Sequence, residues 1–382
     1  MIKIKNKSLC CGCHGCANIC PQKCISMKSD DEGFLYPVID GSACTNCGLC
    51  EKVCHILNPT VCENQPKMYA CYNTDEDVRH MSSSGGIFTL IAENVINKGG
   101  VVFGAAFDDT LAVKHIMVDN KEDLDKLRGS KYLQSTIGNT YIRVKEILKT
   151  GQIVLFTGTP CQIDGLVSYL GKDYDNLFTQ DIICHGVPSP KVWQKYIDYH
   201  KSLQKSSIDT NSAPSFRSKE HGWSLFHLHI NFENGEKYTS PFTKDLFMTA
   251  FLNNLCLRPS CYNCKSKGIK RKSDITLADF WGIDKSLPEM FDDRGTSLIF
   301  LNTLKGEQLF DEIKDFTVYK KTIAEVALKN NWAAIKSSYR PVKRKKFMKN
   351  IENTDFKTLC LTCKNKTLTE RIIFKLKSKL KF

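Results

Sequence analysis

The chain has 382 residues, 42% of them hydrophobic and 25% charged, enough apolar side chain for two or three globular domains and too much for a disordered chain. It contains no run of about 18 uncharged apolar residues, and its start, MIKIKNKSLC, lacks an apolar signal core, so neither a transmembrane helix nor a secretory leader is expected and the cytoplasm is the expected compartment. The formal net charge of +13 has clusters at Lys343, Arg344, Lys345 and Lys346 and in the tail, with no zinc-finger, RNP or basic-helix pattern beside them, which argues for a solvated basic face or an acidic partner and against nucleic acid.

Nineteen cysteines in a chain without a leader point to thiolate-bound metal in a reducing compartment, since disulfides belong to oxidising ones. Cys10, Cys13, Cys16 and Cys20 follow C-x2-C-x2-C-x3-C, with Pro21 next. Cys44, Cys47, Cys50 and Cys54 repeat the spacing 34 positions later, Cys44 standing to Cys10 as Cys54 stands to Cys20. In such a run three thiolates surround one 4Fe-4S cube and the fourth reaches the neighbouring cube. One cluster would take Cys10, Cys13, Cys16 and Cys54; the other would take Cys44, Cys47, Cys50 and Cys20. A zinc ribbon uses two C-x2-C pairs and four ligands, which two crossed quartets exceed. Gly12, Gly15 and Gly48 suit a backbone wrapping closely round a cluster. Between the repeats, CISMKSDDEGFLYPVI reads as two short strands turning at Asp31-Glu32-Gly33. His55, where the first repeat has Pro21, is expected beside the ligands or at the surface, and Cys11, Cys24, Cys62 and Cys71 have no spacing partner and read as free or packed thiols.

After Asn58-Pro59 and the polar ENQPK linker, helices and strands alternate. The spacing predicts a helix over Ile87 to Asn97, strands in VVFGAAF and AVKHIMV, a helix from Tyr141 to Lys149, and strands in QIVLFTG and NLFTQDIIC, an α/β pattern. Three small-residue loops lie at the joints: Ser82-Ser83-Ser84-Gly85-Gly86, Gly129-Ser130-Lys131 and Gly158-Thr159-Pro160-Cys161. A helix N-terminus after such a loop can hold the phosphates of a nucleotide cofactor, although most such loops are only loops. No G-x-G-x-x-G follows a strand, so a Rossmann NAD site is not supported.

Cys161 and Cys184 each follow an apolar strand, at the end where α/β ligands collect. LRPSCYNCKSKG adds the pair Cys261 and Cys264, with Cys256 five residues before Cys261. Four thiolates suffice for one more cluster. Core cysteines at 161 and 184 with zinc at 261 and 264, or a Cys161 nucleophile with His185 as base, stay open at this point. Further on, FRSKEHGWSLFHLHINFENGEKYTSPF reads as a hairpin turning at Glu233-Asn234-Gly235. Phe242 to Leu255 reads as a helix, DITLADFWG and GTSLIFLNT as strands and Lys305 to Lys314 as a helix; Asp279 and Trp281 are pocket or packing residues. Past Lys343 the pattern weakens. Cys360 and Cys363 are too few for a cluster or a zinc site. In RIIFKLKSKLKF, Ile372, Leu376 and Leu380 recur every four residues among lysines, as in a short helix that binds an anionic membrane weakly or frays.

GTPCQI, DIICHGVPSP, LRPSCYNC and SDITLADFWGI together resemble the coenzyme F420 hydrogenase/dehydrogenase beta-subunit family, from about Met68 to Thr303, and a duplicated ferredoxin in front is a common arrangement there. Relatives include bacterial chlorophyll-pathway reductases and proteins encoded beside cell-surface polysaccharide enzymes. The resemblance implies an oxidoreductase that binds FAD and a 4Fe-4S cluster. It makes Cys161, Cys184, Cys261 and Cys264 the ligands of a third cluster. Ser84, Gly85, Gly86, Ser130, Lys131, Gly158 and Thr159 become candidates around FAD, and Lys131, Lys270 or Arg271 would stabilise an anionic reduced ring or an acidic substrate unless they are surface charges.

The expected architecture is an α+β ferredoxin-like two-cluster module (residues 1–60) followed by an α/β flavin-binding domain with a mixed sheet, in an N-terminal part (67–205) and a C-terminal part (206–340), and then a basic tail (341–382). The expected function is electron transfer between 4Fe-4S clusters and a two-electron donor or acceptor, coenzyme F420-like or another small molecule, at FAD. Its rivals are an electron-transfer subunit with no substrate of its own and a cysteine-dependent transferase in cell-surface polysaccharide biosynthesis. The expected partner is a redox protein or a small-molecule electron donor, with peripheral contact at the inner face of the membrane open to the basic tail.

Overall fold

A computed structural model describes residues 2 to 364. At the N-terminus β1 (Ile25–Ser29) and β2 (Leu35–Ile39) form an antiparallel ribbon. Gly33 turns between them at φ +86°, with the site of a Cβ only 2.5 Å from Lys191 Cβ, so only glycine lets the turn press on the helix Pro190–Gln204. The short helices Gly15–Ile19 and Leu49–Lys52 carry Cys16 and Cys50.

The larger body is built on β3 (Lys67–Asn73), β4 (Val101–Phe107), β5 (Val113–Val118), β6 (Val154–Thr157) and β7 (Leu177–Ile182). Next come β8 (Ser215–Ser218), β9 (His227–Asn231) and β10 (Lys237–Pro241), an antiparallel sheet of their own in the order β10-β9-β8. With β11 (Ile275–Asp279), β12 (Ser297–Leu301) and β13 (Thr317–Thr322), the main sheet has the order β13-β3-β12-β11-β7-β6-β4-β5. Pairing is parallel along β11, β7, β6 and β4 and antiparallel at β11–β12, β12–β3, β3–β13 and β4–β5. The sheet is mixed, as expected.

Both faces of this sheet are covered, which is why its strands read as unbroken apolar runs. Val102, Ala106, Leu155 and Ile299 pack under Ile87, Ile91 and Val95 of the helix Ile87–Asn97. On the other face Val101, Phe103, Val154 and Phe156 meet Tyr141 and Val144 of the helix Thr140–Lys149 and Ile163 and Leu166 of the helix Pro160–Leu170. A third core gathers Trp193, Phe216 and Phe247 beneath the helices Pro190–Gln204 and Leu246–Leu252.

The stretch after Lys343, weakly patterned in sequence, folds onto that third core. Its helices Arg344–Lys349 and Phe356–Lys364 bury Phe347, Met348, Ile351, Phe356, Leu359, Cys360 and Cys363. Interleaved lysines on the solvent side hide the apolar face in the sequence. The helix expected around Ile372, Leu376 and Leu380 lies outside the described residues. Among the described residues no helix is long and apolar enough to cross a membrane.

The ribbon module is fixed to the larger body by two buried arginines. Arg258 donates to Cys10 O, Leu35 O and Gln134 Oε1, each at 2.8 Å. Arg344 grips Glu32 with two bonds of 2.8 and 2.6 Å, the bidentate geometry that makes arginine the strong partner of carboxylate.

Candidate iron-sulfur centres and an adjoining basic cavity

The two ferredoxin runs repeat in backbone as well as in spacing. The middle cysteine of each is flanked by left-handed residues: Gly12 (φ 71°) and His14 (φ 63°) around Cys13, Asn46 (φ 55°) and Gly48 (φ 75°) around Cys47. Such conformations are uncommon away from glycine, and here they recur at matching positions of both runs. Gly15, by contrast, opens a helix and packs near Gly165. Cys20 joins Cys44, Cys47 and Cys50 around a cavity of about 350 Å³. Cys24, without a spacing partner in the sequence, borders the same cavity, its sulfur 3.4 Å from that of Cys20. In the other quartet, burial and the neighbouring Cys13, Cys10 and Cys54 push the Cys16 thiol up, and Cys10 Sγ lies 3.7 Å from Arg258 Nη2.

A further quartet forms where strands of the main sheet end. After β6, the Thr159 N–H donates to Gln162 Oε1 at 2.9 Å and Pro160 opens a helix, a start that pre-sets the first turn and places Cys161 in it. After β7 comes Cys184. The turn Pro259–Asn263 then brings in Cys261 and Cys264. All four line one cavity of about 640 Å³, together with Cys11, Ile56, His185 and Lys267. Burial, then the presence of Cys184, Cys264 and Cys161, raises the Cys261 thiol, and the Val187 N–H points at its sulfur from 3.4 Å. Thiols crowded like this are costly to ionise without a metal and suited to one with it. A Cys161–His185 pair is not formed: His185 Nε2 is 2.6 Å from Asn254 Oδ1, its ring is held edge-on by Phe251 and Trp332, and the Cys161 sulfur instead meets Thr159 Oγ1 at 3.3 Å.

Sharing the wall Ile56, Pro160, Lys265, Ser266, Lys267 and Arg271 is a larger cavity of about 1080 Å³. Lys270 and Lys272 add to its cations and Asp164 and Asp181 supply its acids. Arg271 is neutralised by Asp181 at 3.0 Å, Lys272 lies 3.8 Å from Asp164, and Lys270 reaches Glu63 at 2.8 Å. Among the described residues neither Lys265 nor Lys267 pairs with a carboxylate; Lys267 donates to the carbonyls of Cys184 and Ala333. The cavity is therefore net positive, and the buried Ser266 hydroxyl on its wall has no partner.

The loops considered for flavin are partly spent on the fold. A Cβ on Gly85 would meet Cys71 O at 2.6 Å, and Gly86 (φ +81°) starts the helix Ile87–Asn97. Ser130 N–H donates to Ser83 Oγ at 2.7 Å, which joins the first two loops. Lys131 gives its ammonium to Arg128 O at 2.9 Å and Leu127 O at 3.1 Å, and burial lowers its pKa to about 7. Gly158 N–H donates to Gln180 O at 3.1 Å. What remains is the buried, unpartnered Ser84 hydroxyl. Nearby, Arg217 holds Asp279 at 2.7 and 2.9 Å and Ser83 O at 3.1 Å, and Trp281 stacks on Trp223 at 4.9 Å, so Asp279 and Trp281 serve packing. Arg217, Arg258 and Cys11 lay beyond sequence reasoning because each acquires its partners only through tertiary contact, and Ser266 because its burial without a partner is set by the fold.

Comparison with known proteins bears on these same segments. The two halves of a family model, coenzyme F420 hydrogenase/dehydrogenase beta subunit, match residues 68–140 (N-terminal half) and 151–325 (C-terminal half), and a 4Fe-4S dicluster domain matches residues 9–56. The chain belongs to the coenzyme F420 hydrogenase/dehydrogenase beta-subunit family. The coenzyme F420-dependent sulfite reductase of Methanocaldococcus jannaschii is 25% identical over 373 residues, which cover 92% of this chain and 51% of that protein. The chain thus spans about half the length of that curated relative. A chain of the F420-reducing NiFe hydrogenase complex from Methanosarcina barkeri, solved as a xenon derivative, aligns with a TM-score of 0.48 and 18% identity, over 72% of this chain and 89% of that one. In this beta-subunit family member the dicluster match holds both ferredoxin runs, and the third quartet and the basic cavity draw on the C-terminal family segment.

Proposed function

We propose that this beta-subunit family member is an iron-sulfur flavoprotein oxidoreductase with three 4Fe-4S clusters. One would be held by Cys44, Cys47, Cys50 and Cys20, one by Cys10, Cys13, Cys16 and Cys54, and the third by Cys161, Cys184, Cys261 and Cys264. The observation that carries the reading is the shared wall between the third quartet and the basic cavity, which would set an anionic two-electron carrier beside a one-electron centre. The donor chemistry fits the clusters, since every quartet is all thiolate. FAD, when bound, would exchange an electron pair with a substrate and single electrons with a cluster.

The chain's own residues do the positioning. Lys265 and Lys267 attract a phosphate- or carboxylate-bearing molecule, the Ser266 hydroxyl offers it a hydrogen bond, and Ile56 and Pro160 keep water from the wall nearest Cys161. For the flavin itself, the buried Ser84 hydroxyl is the group among these loops left free to meet it. The substrate would be a coenzyme F420-like deazaflavin, as in the name of the sulfite reductase relative, or another small anion. Thiolate ligation requires a reducing compartment, which the cytoplasm provides.

The test is reduction of the full chain under anaerobic conditions, with cluster absorbance followed after addition of reduced coenzyme F420 or NADH. Bleaching is expected only in preparations that contain flavin. Equal bleaching after the flavin has been stripped would overturn the flavoprotein reading.

A further inference from the structure

Cys11 fits neither ligand run, yet it stands where two quartets meet. Its sulfur is 3.7 Å from His55 Nε2, and His55 Nδ1 is 4.0 Å from the sulfur of Cys13. The three atoms that could bind a metal lie within 4.8 Å of one another. Cys11 also lines the cavity of the third quartet, alongside Cys161.

The juxtaposition is enforced from several directions. Gln134 Nε2 donates to Cys11 O at 3.1 Å, and Arg258 Nε holds Cys10 O at 2.8 Å. On the opposite side Gly165 of the helix Pro160–Leu170 faces Cys13, where an added Cβ would come within 2.8 Å of its Cβ and 3.0 Å of its sulfur. His55 is buried.

We propose that Cys11 and His55 couple the first ferredoxin cluster to the third, donating hydrogen bonds to the ligand sulfurs of Cys13 and Cys161 and bridging the gap an electron crosses between them. The proposal rests on the cluster assignments made above. A donor aimed at a ligand sulfur stabilises the reduced, more negative cluster and so raises its potential. His55 faces the Cys13 sulfur through Nδ1, and the Cys11 thiol, with its single proton, faces the cavity of Cys161, so the two side chains together act on both clusters. The step is a single-electron transfer: the reduced third cluster loses one electron and the oxidised first cluster gains it. No bond is made or broken, and Cys11 remains a thiol throughout. These are positioning residues and hold no iron.

The experiment uses the full chain reconstituted anaerobically, as wild type, Cys11→Ala, Cys11→Ser, His55→Gln and Cys161→Ala. Iron and sulfide are counted, the potential of each cluster is titrated by electron paramagnetic resonance, and cluster equilibration is followed by freeze-quench after substoichiometric dithionite. Cys11→Ala should keep the wild-type iron content, lower the potential of the third cluster and slow equilibration about 10- to 100-fold, the range in which outer-shell partners act on metal centres. Cys11→Ser, which keeps a donor, should recover most of the loss, and His55→Gln should lower the potential of the first cluster. A loss of about four irons in Cys11→Ala would make Cys11 a ligand and overturn the proposal. Full iron with unchanged potentials and rate would overturn it as well. If Cys161→Ala keeps all the wild-type iron, the third-cluster assignment itself fails, and the coupling falls with it.

Discussion

Arg258 is fully buried, and among the described residues its guanidinium has no carboxylate partner. It donates to two backbone carbonyls and Gln134, and lies over the Tyr36 ring at 4.3 Å. A buried cation needs a nearby anion, and a cluster at Cys10, whose sulfur is 3.7 Å away, would be that anion. Arg258→Met strands two or three acceptors at about 1–3 kcal/mol each, so denaturant titration of the holoprotein should show a loss of roughly 3–5 kcal/mol, and Arg258→Lys should not restore the fork of bonds.

His115 makes the second prediction at this scale. Thr157 O at 2.9 Å can only accept, so Nε2 carries the proton and Nδ1 accepts from the Ser135 hydroxyl at 3.0 Å. Burial holds the ring's pKa at about 4. The unfolded ring titrates near about 6.5. Between those values the unfolded chain binds a proton that the folded chain refuses, so stability falls as pH drops, by at most roughly 3 kcal/mol for this group. Urea midpoints at about pH 7 and about pH 5 should therefore converge in His115→Asn relative to wild type. None of these partnerships is local in sequence, whereas the dicluster domain was legible because its two cysteine runs are defined by local spacing.

At the scale of elements, the helix Pro160–Leu170 carries a glycine, Gly165, in its interior. Were the position free, Gly165→Ala would stabilise the helix by about 1 kcal/mol. Crowding against Cys13 and the Tyr141 hydroxyl, 3.0 Å from a would-be Cβ, reverses the sign, and overpacking of about 1–3 kcal/mol is expected. A lower melting temperature in Gly165→Ala, with faster proteolysis in residues 57–66, would show that this helix seats the ferredoxin module. Elements with both faces buried were readable: VVFGAAF became β4 and the apolar spacing from Ile87 to Asn97 became a helix over the same residues. The edge strand β13, TVYKKT, was not, because its four central residues are exposed and it pairs only with β3, so no alternation marks it. β3 itself, a short run straight after the linker, declares itself only by pairing with β12 and β13.

Across the whole molecule, the carboxyl ends of β6 and β7 deliver Cys161 and Cys184 to one place, as the parallel pairing requires, and the docked module sets Cys11 beside them. The order is then third quartet, first quartet, second quartet, with Cys47 of the last exposed. On the cluster assignments proposed above, that would be the layout of a wire running from the basic cavity to the surface. Its two ends were visible in the sequence as cysteine spacings and family motifs. Its continuity was not, since it depends on how Arg258, Arg344 and Gly165 seat one domain on the other. The basic cavity was only half legible: Lys270 and Arg271, named from the sequence, line it, whereas nothing in the spacing marks Lys265 and Lys267 until the wall they form beside the third quartet is seen.

The most direct test of the account is an iron and sulfide count on anaerobically purified full-length chain beside Cys13→Ala, Cys47→Ala and Cys161→Ala. Three cubes predict about twelve irons per chain, with about four lost in each variant. About eight irons in the wild type, unchanged by Cys161→Ala, would leave a ferredoxin with nothing to serve and contradict the central claim.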